Sequence, residues 1–202
     1  MWINQPITRV EVHSTLRYIH KSRVQSMLNP LIKSRFFQLD LQRVREVLLS
    51  QSWVKEVSLR KEWPDKLVVF LEEKEPVARW GDDSLITGDG DVFGLRNLED
   101  FQALPVLKGP YKQAQVVMQQ YLAIGQLLRP MGLVVNELDL SSTGAWSFQV
   151  NGVRVNMGED NRAEKLQRFI RLYHARLESQ WQRVGRIDLR YSNGAAVAWN
   201  NS

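Results

Sequence analysis

The run from Trp53 to Trp80 limits what this chain can fold into more than any other stretch. Val57 and Leu59 alternate with polar Glu56, Ser58 and Arg60, the pattern of a strand buried on one face. Trp63-Pro64-Asp65 interrupts it, because proline fixes φ and has no N–H to give a ladder. Leu67 to Leu71 resumes in β-forming residues, and Pro76 closes the unit. No continuous helix tolerates that punctuation. The segment is predicted as two antiparallel strands around a tight turn, followed by a second break.

What precedes the hairpin completes a module. Ile7 to Val12 reads as a strand, with Val10 and Val12 on one face and Arg9 and Glu11 on the other. Ser22 with Gln25 has capping-box spacing ahead of a helix carrying Val24, Met27 and Leu28, which Asn29-Pro30 stops. Asp40 is a good N-cap for a second helix, on which Leu41, Val44, Val47 and Leu48 share a face. The order β-α-α-β-β predicts helices layered on one face of a small sheet. Glu72, Glu73 and Glu75 read as a solvated strand end.

Beyond Pro76 the pattern changes. Gly88-Asp89-Gly90-Asp91 lies between Leu85-Ile86-Thr87 and Val92-Phe93, as a hairpin turn does. A calcium loop competes, but no further acidic ligands follow at EF-hand spacing. Leu104 to Leu107 is a short strand, and Tyr111 to Arg129 a helix with Val117, Tyr121, Ile124 and Leu128 on one face. Three strands follow, over Leu133–Leu140, Trp146–Val150 and Val153–Met157, the last two joined by the strong hairpin dipeptide Asn151-Gly152. Asn161 with Glu164 suits a capping box for a basic helix. Ile187 to Trp199 ends the chain as a hairpin or a strand bent around Ser192-Asn193-Gly194. The fold class is α+β: residues 1–76 form the first domain, and residues 77–202 a mixed sheet with two flanking helices.

The chemistry-bearing patterns are few. The 202 residues contain no cysteine, and His13, His20 and His174 fall in no metal-ligand spacing. There is no nucleophile elbow and no phosphate-cradling glycine loop, so the chain is read as a non-enzyme that calls for no cofactor. Net charge is +5, which raises nucleic acid as a partner. Yet Lys21, Arg23, Lys33 and Arg35 are scattered, and Arg162, Lys165, Arg168, Arg171 and Arg176 surround an apolar stripe of Leu166, Phe169, Ile170, Tyr173 and Leu177. Those helix cations read as a solvated face rather than a nucleic-acid surface. No apolar run is long enough to span a membrane, and no signal peptide is present.

Several segments together resemble one family. The β-α-α-β-β order with Trp63-Pro64-Asp65 is similar to a POTRA (polypeptide-transport-associated) domain. Trp53-Val54-Lys55, the run Arg60 to Asp65, Pro76-Val77-Ala78-Arg79-Trp80 and the ending Ile187 to Trp199 resemble the extracytoplasmic part of the FtsQ/DivIB cell-division family, γ-proteobacterial type. A single-pass protein of the bacterial inner membrane is thereby implied, with this region in the periplasm and septal at division. Members carry a cytoplasmic tail and one transmembrane helix ahead of the POTRA domain, so Trp2 to Pro6 are expected near the membrane boundary. A POTRA chaperone module for outer-membrane polypeptide transport is the alternative, but such proteins repeat the unit and continue into barrel strands.

The resemblance implies a divisome scaffold that binds FtsB, held with FtsL, and brings other division proteins such as FtsW, FtsI, FtsK and FtsN within range. It places FtsB contacts at Arg190, Tyr191, Asn193, Gly194 and Trp199, with Leu172 on the preceding helix. Position 193 is Asn where better-known relatives carry Ser. Gly194-Ala195-Ala196 has almost no side-chain bulk, so a partner backbone can approach and add a strand. A second docking surface is expected on the POTRA hairpin, around Leu59, Lys61, Val68 and Phe70. Val68 and Phe70 lie on the face opposite Leu67, Val69 and Leu71: either both faces are covered or an apolar patch is open.

Overall fold

The computed structural model describes residues 6–14, 17–18, 20–32, 36–94 and 98–200. Trp2 to Gln5, Lys33 and Arg35 lie outside the described residues. The chain divides into two compact units, Met1–Glu75 and Pro76–Ser202.

The first unit follows the order β1 (Arg9–His13), α1 (Lys21–Leu28), α2 (Leu41–Leu49), β2 (Val54–Glu62) and β3 (Lys66–Glu73). The sheet order is β1-β3-β2, with β1 parallel and β2 antiparallel to β3. One face of it takes the helices. Val24, Leu28, Val44 and Leu48 join Val57, Leu67, Val69 and Leu71 in a single buried cluster. Asp40 caps α2 as its sequence predicts, accepting from the Gln42 and Arg43 N–H groups at 2.9 and 3.1 Å. The capping box expected at Ser22 is absent. Extended His20 precedes α1 without a side-chain cap, the helix starts at Lys21, and Ser22 already lies inside the first turn. Packing of Val24 and Leu28 thus sets this helix rather than its cap.

Two acidic residues organise the unit. Asp65, in the β2–β3 turn, accepts from Arg9 at 2.8 Å and from the Thr8 hydroxyl, while its carbonyl takes the Thr8 N–H at 3.0 Å. The Trp-Pro-Asp turn therefore ties down the start of β1. Hydrogen bonding to Arg9, then to Thr8, holds the Asp65 carboxyl below the ordinary aspartate range. Glu73, read from sequence as part of a solvated end, is buried instead. It accepts the N–H groups of Arg17 and Tyr18 at 2.7 and 3.1 Å, satisfying donors of a segment outside the ladder.

The second unit is built on a nine-stranded sheet of order β12-β11-β10-β9-β8-β7-β4-β5-β6. Its strands are β4 (Pro76–Trp80), β5 (Ser84–Thr87), β6 (Val92–Gly94), β7 (Val106–Lys108), β8 (Val135–Leu140), β9 (Trp146–Val150), β10 (Val153–Gly158), β11 (Val184–Asp188) and β12 (Ala196–Trp199). Two helices, α3 (Ala114–Leu128) and α4 (Arg162–Leu172), contribute to one core with the strands. Trp146, Phe148 and Val150 of β9 point into that core, while Ser147 and Gln149 face the other way, where Arg154 pairs with Glu137 at 2.8 Å. Phe148 meets Phe169 of α4 edge to face at 5.7 Å. Asn151 and Gly152 both take positive φ, +44° and +85°, as a two-residue primed turn requires.

The capping box expected at Asn161 does not form. Asn161 is left-handed, with φ +51°, and its side chain makes no cap bond. Beyond Leu172 the helix widens into a π-turn over Tyr173–Leu177, then tightens over Glu178–Arg183 before β11.

Candidate partner-binding site

The chain's end is a hairpin, not a bent strand. β12 pairs antiparallel with β11, Ile187 facing Val197 and Asp188 facing Ala196, and forms one border of the sheet. No strand pairs with its outer side among the described residues. Leu189 is fully buried, and Ala195 and Val197 pack partly against the core. Between these anchors, residues 190–194 form a loop outside the ladder.

Arg190 and Tyr191, read above with the last strand, lie on no strand. Both sit in the loop. Tyr191 is 60% exposed and Trp199, at the end of β12, 44% exposed. Asn193 is exposed, and a Cβ added at Gly194 would meet nothing within 4 Å. Arg190 is not free to await a partner carboxylate. It binds Asp188 at 2.6 to 3.0 Å and holds that carboxyl below the ordinary aspartate range, chiefly by hydrogen bonding. Leu172 is half-buried against the core, one turn beyond Arg168 on the same helix face.

Arg168 is what the sequence pattern missed. It reads as one of five solvated cations on the basic helix, yet only 16% of its side chain is exposed. Its guanidinium donates to the carbonyls of Tyr191, Ser192 and Gly194 at 2.6, 2.7 and 3.0 Å. Lys165 is likewise buried and pairs with Asp160 at 2.6 Å, and Arg162 lies 4.9 Å over the Trp146 ring. The solvated-face reading therefore fails at these three positions. No local spacing signals the Arg168 bonds, because their acceptors lie 23 to 26 residues downstream and meet the helix only in the fold.

The four POTRA positions do not form one surface. Leu59 and Lys61 share the helix-facing side of the sheet, in register with Val69 and Leu67. Leu59 packs partly into the core, and the Lys61 ammonium stands 5.8 Å from the Phe36 ring centre. Val68 and Phe70 face the other way. Val68 is not available to a partner: it is 2% exposed, flanked across the sheet by Glu11 and Arg60. Phe70 is 40% exposed, stacks on His13 at 5.0 Å, and lines a shallow groove with Ser58 and Glu72. Of the four, only Phe70 offers open apolar surface.

Comparison with known sequences follows the two units. The family model "POTRA domain, FtsQ-type" matches residues 5–74, and "Cell division protein FtsQ/DivIB, C-terminal" matches residues 78–190. The chain belongs to the FtsQ/DivIB family of cell-division proteins. Among relatives named cell division protein FtsQ, the one from Cellvibrio japonicus is 36% identical over 98% of this chain and 62% of its own length. Those from Acinetobacter oleivorans and Coxiella burnetii are each 32% identical over 97% of this chain, covering 69% and 81% of theirs. The chain thus spans between about three-fifths and four-fifths of these FtsQ relatives. No helix among its described residues is long and apolar enough to cross a membrane.

Proposed function

We propose that this FtsQ/DivIB-family chain is a non-enzymatic scaffold of the bacterial division machinery, acting in the periplasm as part of a single-pass inner-membrane protein. It binds an FtsB-type partner, held with FtsL, and through that complex helps recruit and regulate septal wall synthesis. The observation that carries the reading is β12: an uncharged edge strand with no strand on its outer side among the described residues, flanked by exposed Tyr191 and Trp199. Such an edge accepts a partner strand through its backbone, while aromatic anchors supply specificity.

Titration of this chain with the FtsB ectodomain tests the proposal. Tyr191→Ala and Trp199→Ala are expected to weaken binding about 30-fold each, the weight of a roughly 2 kcal/mol anchor, with melting temperatures near wild type. Folded variants that bind within about threefold of wild type would place the site elsewhere.

A further inference from the structure

We infer that Arg168 is a positioning residue: it holds the β11–β12 loop in its binding-ready shape without itself being a partner contact. The inference rests on β12 and its loop being the docking site. Three successive observations carry it. Loop 190–194 makes no ladder bonds of its own, so the sheet does not fix its shape. Arg168 donates to the carbonyls of three of the five residues, at 2.6 to 3.0 Å, from a helix whose neighbouring Leu166 and Phe169 are buried in the core. Glu164, one turn earlier, accepts from the same guanidinium at 3.2 Å and fixes its plane.

The geometry explains why the residue is arginine. A planar guanidinium carries five donors in a rigid fork and reaches several carbonyls at once. A lysine ammonium on a flexible stem has three donors and no fork. Because Arg168 takes the carbonyl of Tyr191 itself, it fixes the backbone from which the exposed ring projects. It also occupies acceptors at Tyr191, Ser192 and Gly194, which leaves the edge of β12 as the stretch where a partner backbone pairs.

A preorganising role has a kinetic signature that a direct contact lacks. When only a fraction of molecules is binding-competent, apparent affinity falls by that fraction, and the loss is carried by the association rate. The test measures association and dissociation rates with the FtsB ectodomain for wild type, Arg168→Met, Arg168→Lys and Trp199→Ala. Amide hydrogen exchange of each free protein and a thermal melt accompany the kinetics. Arg168→Met keeps the apolar stem and removes the donors. It is expected to exchange faster at residues 191–195 and to associate about 10-fold more slowly, with dissociation within about twofold. Arg168→Lys keeps the charge and should recover only part of the association rate. It also carries the test if the Met variant melts early. Trp199→Ala should instead dissociate faster.

A wild-type exchange pattern in Arg168→Met overturns the inference, as does an affinity loss carried by dissociation. Full recovery by Arg168→Lys also overturns it, because charge steering rather than the fork would then set the rate. Wild-type binding by a folded Trp199→Ala instead overturns the docking site on which the inference rests. Loop exchange in the free protein separates the two failures.

Discussion

Among the described residues each sheet has border strands with one side open, and two of these, β2 and β12, are guarded differently. In the first unit β2 borders the sheet, and five of its nine residues are charged: Lys55, Glu56, Arg60, Lys61 and Glu62. Most of these charges have partners at home. Lys55 pairs with Glu72 at 2.7 Å, Arg60 with Glu62 at 2.6 Å, and Glu62 also with Lys66 at 3.1 Å. In the second unit β12 reads Ala-Val-Ala-Trp, without a charge. Charged edges block strand addition, because pairing would bury or crowd the charges, whereas a bare edge of small residues invites it. The difference teaches where to look for a partner strand: at the edge whose side chains leave the backbone open.

The largest effect expected within this comparison is on stability and belongs to the second unit. Phe148→Ala removes a ring that is 1% exposed between β9 and α4 and should cost about 3–5 kcal/mol, whereas Phe70→Ala on the outer POTRA face should cost well under half as much. Chemical denaturation of the two variants checks this ordering. Comparable losses would mean that the POTRA outer face is as tightly packed as the core. Next comes Glu73→Gln, which keeps shape but not charge. It is expected to lose roughly 1–3 kcal/mol, because two backbone donors would share a weaker acceptor. Amide exchange should localise that loss to the first unit; a uniform loss over both units would contradict the local account.

On binding, Lys61→Glu with Phe70→Ser should leave FtsB affinity within about threefold of wild type, since both positions belong to the sheet of the first unit and β12 to that of the second. The same double variant addresses the weaker POTRA docking surface. If it is stable and still localises to the septum, that surface has no recruiting role. The smallest effect concerns pH. The Asp188 carboxyl is depressed when folded, so its pairing with Arg190 stabilises the loop above the ordinary aspartate value of about 3.9 and is lost as pH falls through the lower folded value. NMR titration of the Asp188 carboxyl should show a midpoint below that of an unstructured aspartate. A midpoint at or above it would mean the ion pair does not persist in solution.

Much of this architecture was legible in the sequence because it rests on local rules. Alternation set the β2–β3 hairpin, Asp40 its helix start, and Asn151-Gly152 a turn that needs two positive φ angles. What escaped was decided by contacts between distant segments. Ser22 and Asn161 have capping-box spacing, yet core packing of Val24 and of Leu166 and Phe169 placed the helices without those bonds. Glu73 reads as one of the charges of a strand end and Arg168 as one of the cations of the basic helix, and only the fold shows the backbone groups they satisfy. At the candidate site, the sequence marks Tyr191 and Trp199 as large rings beside small residues, and the fold leaves both exposed. The internal pairing of Arg190 was not legible there, and the fold decides for cover over Val68, which the sequence leaves open, because alternation gives the face of a side chain but not what covers it.

Hydrogen exchange on the chain with and without the FtsB ectodomain tests the central claim most directly, since strand addition acts on the backbone and leaves a mark at each amide it pairs. The account predicts that amides on the open side of Ala196–Trp199 exchange freely alone and become protected in the complex, while β2 amides keep their rates. Protection appearing along β2, with none gained in β12, would contradict it.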